Sequence, residues 1–241
     1  MDNLIDNALF ITGTGTDVGK TVVTAGLCAH YCSLGHKVAV MKPVLSGLDG
    51  SGKTDLDFVR EVAAELGFHP SIVPGPYAFK YPASPHLAAR MEGAEVDVEL
   101  IKRSIVAGVA ANVGGVTLVE GAGGLCVPLR EDYLFLDLLR ELRMPVVLVC
   151  SLGLGSINHA LLSVAAMKAA GVPVAGAVLN GLPENPGPIE ADNAAYLSAR
   201  LGIHVFGTVK KLETAGFAAA LLGEFRRLAQ NLPAFPKLPR Q

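Results

Sequence analysis

The stretch GTGTDVGKT, residues 13–21, stands directly behind the apolar run ALFIT and opens a helical pattern. Strand, glycine-rich turn, Gly-Lys-Thr and helix in that order leave few folds open. In this arrangement backbone N–H groups at a helix start converge on phosphate oxygens. Asp17, Val18, Gly19, Lys20, Thr21 and Val22 form the cradle, with Lys20 long enough to reach β- and γ-phosphates and the Thr21 hydroxyl placed to ligate Mg²⁺. The other reading is a chance glycine turn ahead of a helix. The loop is also unusual. Five residues, 14–18, separate Gly13 from Gly19, one more than the usual spacing of such loops.

Short β-branched runs alternate with helical patterns along nearly all of the 241 residues. Strands are expected at 9–12, 37–41, 116–120, 146–150, 174–179 and 204–209. Helices are expected at 20–34, 55–66, 98–112, 134–142, 157–170, 190–201 and 216–231. Such alternation implies right-handed crossovers, hence an α/β fold with one doubly wound, mostly parallel sheet flanked by helices. Hydrophobic residues make up 51% and charged residues 17%, enough to bury both faces of a sheet. The length fits a single domain over 1–241, with 232–241, which carries three prolines, as an extended tail. Two segments, 46–53 and 73–85, are rich in glycine or proline and read as surface loops near the site.

Other function classes fit poorly. The net charge is −2 and no Lys/Arg cluster is present, against a nucleic-acid footprint. The longest apolar runs are strand-sized, against a membrane span. Residues 1–13 carry two aspartates and no basic leader, which points to the cytoplasm. Four cysteines, at 28, 32, 126 and 150, lack zinc-ligand spacing and read as inert thiols.

In an open parallel sheet ligands bind beyond the carboxyl ends of the strands. Glu120 ends one apolar run and opens EGAGG, where Gly121, Ala122 and Gly123 leave room for phosphates. Asp55 lies at a helix start in GKTDLDF and reads equally as a metal ligand or as ordinary helix-start acidity. Thr21, Asp55 and Glu120 together offer the hard oxygen donors that Mg²⁺ takes beside substrate phosphates. Lys42 ends the second expected strand, as a second cation or as a plain strand-end lysine. Asn180 follows the run AGAVL, where its amide matches the adenine N6/N7 edge or caps a turn.

Several segments in order and register, TGTGTDVGKT, KPVLSG, SPH, VEGAGG, LGSINHALLS and LNG, together resemble the dethiobiotin synthetase family. The similarity covers about residues 8 to 215. The resemblance implies an ATP-dependent cyclo-ligase of the phosphate-loop NTPase superfamily that works on a diamine and CO₂ as a homodimer, with ATP as co-substrate and Mg²⁺ as cofactor. It implies that Lys42, Lys20 and Thr16 are catalytic and that Ser46 holds a substrate nitrogen or carbamate oxygen. Thr16 and Asp17 would approach the diamine, Asp17 standing where a longer glutamate is common. The helix start Ser156, Ile157 and Asn158 would bind the substrate carboxylate from the other subunit, with Ser156 as N-cap; a plain capped helix is the alternative. Asn180, Gly181, Lys210, Lys211 and Leu212 would contact the base, although KKLET lacks the proline common before the leucine.

The reading from another class is a partitioning-type regulatory ATPase. Such proteins share the wide loop but usually carry a signature lysine early in it, where this chain has Thr14 and Gly15.

Overall fold

A computed structural model describes residues 7–48, 52–213 and 215–235. The apolar runs become β1 (Ala8–Gly13), β2 (Val38–Leu45), β4 (Val116–Gly124), β7 (Val146–Cys150), β8 (Val174–Leu182) and β9 (Val205–Lys210). With β3 (Ser71–Ala78) they form a parallel sheet in the order β3-β2-β4-β1-β7-β8-β9. Every residue of β1 and β7 is buried, as a central strand covered on both faces requires. The doubly wound α/β fold read from the sequence is the fold observed.

Period-two alternation sorts each strand between two apolar layers. Leu9 and Ile11 face the layer built by α1 (Lys20–Ser33), α2 (Asp55–Glu65) and α8 (Phe217–Leu228). Ala8 and Phe10 face the opposite layer, built by α4 (Val98–Ala111), α5 (Phe135–Leu142), α6 (Ser156–Ala169) and α7 (Pro188–Arg200). The same alternation delivers the charges. Val38 and Val40 face the α1 layer, and so does the next alternate residue, Lys42; Val116 and Leu118 do likewise, followed by Glu120. The pairing of the two strands ends at Met41 and Val119, so Lys42 and Glu120 emerge side by side just past it, where β2 and β4 part.

Two segments differ from expectation. The proline-rich stretch 73–85 is not a plain loop: it contains most of β3 and leads into α3 (Pro85–Met91). Pro74 and Pro76 hide β3 from a sequence reading because proline cannot donate to a ladder. They are tolerated here because β3 lies at the sheet edge. Pro85 occupies the start of α3, where its missing N–H is not needed. A small hairpin of β5 (Pro128–Arg130) and β6 (Tyr133–Leu134) also escaped the sequence pattern.

The tail at 232–235 lies against α1. Leu232 is buried, the Tyr31 hydroxyl donates to the Pro233 carbonyl at 2.9 Å, and Phe235 meets the Tyr31 ring edge-on at 5.2 Å. Residues 236–241 lie outside those described. No helix among the described residues is long and apolar enough to cross a membrane. The cysteines are free thiols, with Cys28 and Cys150 buried and Cys126 exposed.

Candidate active site

Between β1 and α1 the loop turns through two left-handed residues, Asp17 at φ 57° and Gly19 at φ 92°. Aspartate tolerates that conformation better than most residues, and glycine adopts it freely. Gly19 has a second reason to be glycine. A Cβ there would stand 1.9 Å from Nδ2 of Asn180, which donates to the Val18 carbonyl at 3.0 Å and ties the end of β8 to the loop. The Lys20 ammonium folds back to the Gly15 carbonyl at 2.8 Å.

The start of α2 is fixed by a reciprocal cap. Asp57 N–H donates to Thr54 Oγ1 at 3.1 Å, and Thr54 N–H donates to Asp57 Oδ2 at 2.9 Å. Capping therefore falls to Thr54 and Asp57, and Asp55 turns into the site. Lys42 Nζ lies 2.5 Å from Asp55 Oδ2 and 2.9 Å from Glu120 Oε1. The Thr21 hydroxyl lies 3.0 Å from Asp55 Oδ1 and 2.8 Å from Glu120 Oε1. Glu120 Oε2 is buried with no hydrogen-bond partner.

Two lysines and two carboxylates thus share one small volume. Burial alone would lower the Lys42 pKa, but the charges of Glu120 and Asp55, with their hydrogen bonds, outweigh it and hold the ammonium above the ordinary lysine value. Burial and then the neighbouring Lys42 charge push Lys20 below that value. Asp55 would be raised by burial, yet the Lys42 charge and hydrogen bond bring it below the usual carboxylate range.

These groups line a cavity of about 440 Å³. The loop contributes Thr16, Asp17 and Gly19, and α1 adds Lys20, Thr21 and Val22. Lys42 and Ser46 enter from β2 and the loop after it, Asp55 from α2, and Glu120, Ala122 and Gly123 from β4. Gly121 sits beside them, and a Cβ on it would stand 2.9 Å from the Phe10 ring. Two carboxylates, one hydroxyl and an unpartnered buried carboxylate oxygen match the donor set of a phosphate-bound Mg²⁺. A larger cavity of about 650 Å³ lies elsewhere, against α3 and the β5–β6 hairpin, and touches none of these groups.

Other expected residues sit apart. Asn180 reaches the loop but lines no wall of the cavity, and Gly181 follows at φ 85°. The Lys210 N–H is engaged by Glu224 Oε2 at 3.1 Å and the Lys211 N–H by the Leu182 carbonyl at 2.7 Å. Leu212 packs on the apolar layer. At the start of α6 the N-cap is Gly155, in a left-handed conformation, not Ser156. The buried Ser156 hydroxyl pairs with that of Ser151 at 3.0 Å. Ile157 is half-buried and Asn158 exposed, outside the cavity. The pairing of Asn180 with the loop had no signal in the sequence.

A family described as an AAA domain matches residues 7–218. The ATP-dependent dethiobiotin synthetase of Bacillus subtilis (strain 168) is 35% identical over 204 residues, 84% of this chain and 87% of that protein. The synthetase of Corynebacterium efficiens is 38% identical over 229 residues, 95% of this chain and 98% of its own. The chain belongs to the dethiobiotin synthetase family.

Two solved structures share the fold of this family member. The MinC:MinD cell division protein complex of Aquifex aeolicus matches with TM-score 0.58 at 14% identity, over 97% of this chain and 98% of that one. A ParA family ATPase from Chlorobium tepidum matches with TM-score 0.55 at 15% identity, over 93% and 92%. At such identities the likeness concerns the fold alone. The early loop positions that distinguish partitioning ATPases hold Thr14 and Gly15 in this dethiobiotin synthetase family member.

Proposed function

We propose that the site closes a ureido ring, converting 7,8-diaminononanoate (7,8-diaminopelargonic acid), CO₂ and ATP into dethiobiotin, ADP and phosphate. The path runs through a carbamate and a carbamic–phosphoric mixed anhydride. The observation that carries this reading is the convergence of a second buried cation, Lys42, with Lys20 in the phosphate-loop cavity. A plain nucleotide switch needs no such pair. Two anions that must meet, a carbamate and a γ-phosphate, do need it.

On this reading the loop N–H groups and Lys20 bind the phosphates, while Lys42 faces the carbamate. Thr16 and Ser46, on the same wall, orient the reacting amine and carbamate. Phosphoryl transfer then demands positioning more than covalent help. Thr21, Asp55 and Glu120 would hold Mg²⁺, which neutralises phosphate charge when bound. Asn180 and Gly181, with the main chain at 210–212, would meet the adenine.

The chain works as one cytoplasmic domain that pairs into a homodimer. Leu154 and Leu162 support the pairing: they flank the start of α6 at 89% and 61% exposure, a large apolar outlay for a free surface. The first turn of α6 would take the substrate carboxylate across that interface. The test is release of ADP that requires the diamine, bicarbonate and Mg²⁺ together, in the absence of glutamine. Steady release without the diamine would instead support a regulatory ATPase.

A further inference from the structure

Ser84 stands at the N-cap of α3, yet its side chain makes no capping hydrogen bond. Serine at that position ordinarily accepts from a first-turn N–H. Here its Oγ lies 3.0 Å from Nδ1 of His86 instead. Both side chains are half-buried.

The pair bridges two cavities. Ser84 lines one of about 320 Å³, together with Pro82 and Pro85. Thr16, Ser46, Ala122 and Gly123 line both that cavity and the phosphate cavity, so the two are contiguous. His86 lines the separate cavity of about 650 Å³ on the other side. There Arg90 pairs with Glu131 at 3.1 Å and Arg130 with Asp132 at 2.6 Å, and Glu95 lines the same cavity as a further carboxylate. No described residue lining the smaller cavity titrates.

We propose that Ser84 and His86 form a proton relay from the smaller cavity, where the diamine reacts, to the solvent-facing cavity beside α3. The inference rests on the ureido-ring reading. When an amine nitrogen attacks CO₂, the C–N bond forms and one C=O π pair moves onto oxygen. The nitrogen must then shed a proton to leave a carbamate. Ring closure has a built-in acceptor in the departing phosphate, but carbamate formation has none. Asp17, Asp55 and Glu120 line the phosphate cavity but not the smaller one, and Asp55 and Glu120 Oε1 are already engaged by Lys42 and Thr21. In the relay the nitrogen's proton passes to Ser84 Oγ while the hydroxyl proton passes to His86 Nδ1. The resulting imidazolium discharges into the open cavity. His86 acts through Ser84 and is therefore a positioning and relay residue.

His86→Asn separates the two roles this residue can have, because an amide in place of Nδ1 can still pair with Ser84 but takes up no proton. With diamine, bicarbonate and ATP saturating, His86→Asn and Ser84→Ala should each lower kcat by about 10²-fold near neutral pH, the ordinary worth of a general base. Activity should climb back as hydroxide replaces the relay at higher pH. Ser84→Thr should retain most of the rate. ATP affinity of all three, measured by calorimetry, should match the parent and so report an intact fold. A His86→Asn protein with the parent's rate and pH profile would overturn the relay. A parent protein with no bicarbonate-dependent turnover would overturn the ureido-ring reading, and the relay with it.

Discussion

Lys42 and Glu120, neighbours on adjacent parallel strands, face each other across 2.9 Å with side chains only 9% and 1% exposed. The pair is set by strand register and closes the α1-side apolar layer at its carboxyl end. Removing one partner of such a pair leaves a buried charge without compensation.

Lys42→Met should therefore destabilise the fold by about 3–5 kcal/mol, and the double variant Lys42→Met, Glu120→Leu should regain much of that loss. Urea unfolding of the single and double variants measures the cycle. Lys42→Gln, which keeps a polar group, should lower kcat by about 10²–10³-fold, the range for one lost stabilising donor. Its ATP affinity should change less, because Lys20 and the loop remain. Normal turnover with poor ATP binding would contradict the role given to Lys42.

Glu120→Gln keeps the shape and removes the carboxylate whose Oε2 has no partner. The Mg²⁺ concentration for half-maximal activity should rise steeply, while circular dichroism stays that of the parent. A superimposable Mg²⁺ titration would remove Glu120 from the metal site.

Lys20 releases its proton below the ordinary lysine value of 10.5, because it is buried and lies near Lys42. The unfolded chain holds that proton more tightly. In the free protein this group's contribution to stability thus rises with pH between the folded and unfolded values. Nucleotide binding has the opposite sign, since it depends on the ammonium and weakens as pH climbs through the Lys20 value. Calorimetry from about pH 7 to about pH 10 should show ATP affinity falling before an ordinary lysine would titrate. In Lys42→Gln a depressing positive charge is gone, so the fall should move to higher pH. Identical midpoints would show that the two lysines do not sense each other.

Leu154→Glu with Leu162→Glu should give a monomer by sedimentation. It should bind ATP almost normally through its own loop but require at least about tenfold more diamine. Mixing Lys20→Ala protein with Asn158→Ala protein examines the same geometry. Each parent should be weak, and hybrid dimers should regain one working site. Hybrids that form yet stay inactive would place the carboxylate site within one subunit.

The placing of the phosphate loop, Lys42 and Glu120 in one cavity was legible because it follows from strict local rules. A glycine-rich turn joins strand to helix, and period-two burial ends in a charge where two paired strands part. Asp55 stayed ambiguous in the sequence because three oxygen-bearing residues, Thr54, Asp55 and Asp57, crowd one helix start. Only the reciprocal bonds of Thr54 and Asp57 show which of them is free for the site. β3 was illegible because Pro74 and Pro76 mimic a loop, and edge position is a tertiary property. Ser156 misled for a related reason. Serine is a good N-cap, but Gly155 at φ 87° makes the tighter turn, which leaves the Ser156 hydroxyl to Ser151.

The prolines of β3 have an outcome beyond their own strand. An outermost strand with a full row of N–H donors invites a second chain to zip onto it, and repetition of that contact builds filaments. Pro74 and Pro76 blank two donors in the row, so this flank of the sheet resists polymerisation. Association of two copies is thereby steered away from backbone pairing on this flank and toward side-chain surfaces. A finite, closed pair built on such surfaces would not extend into an open-ended chain.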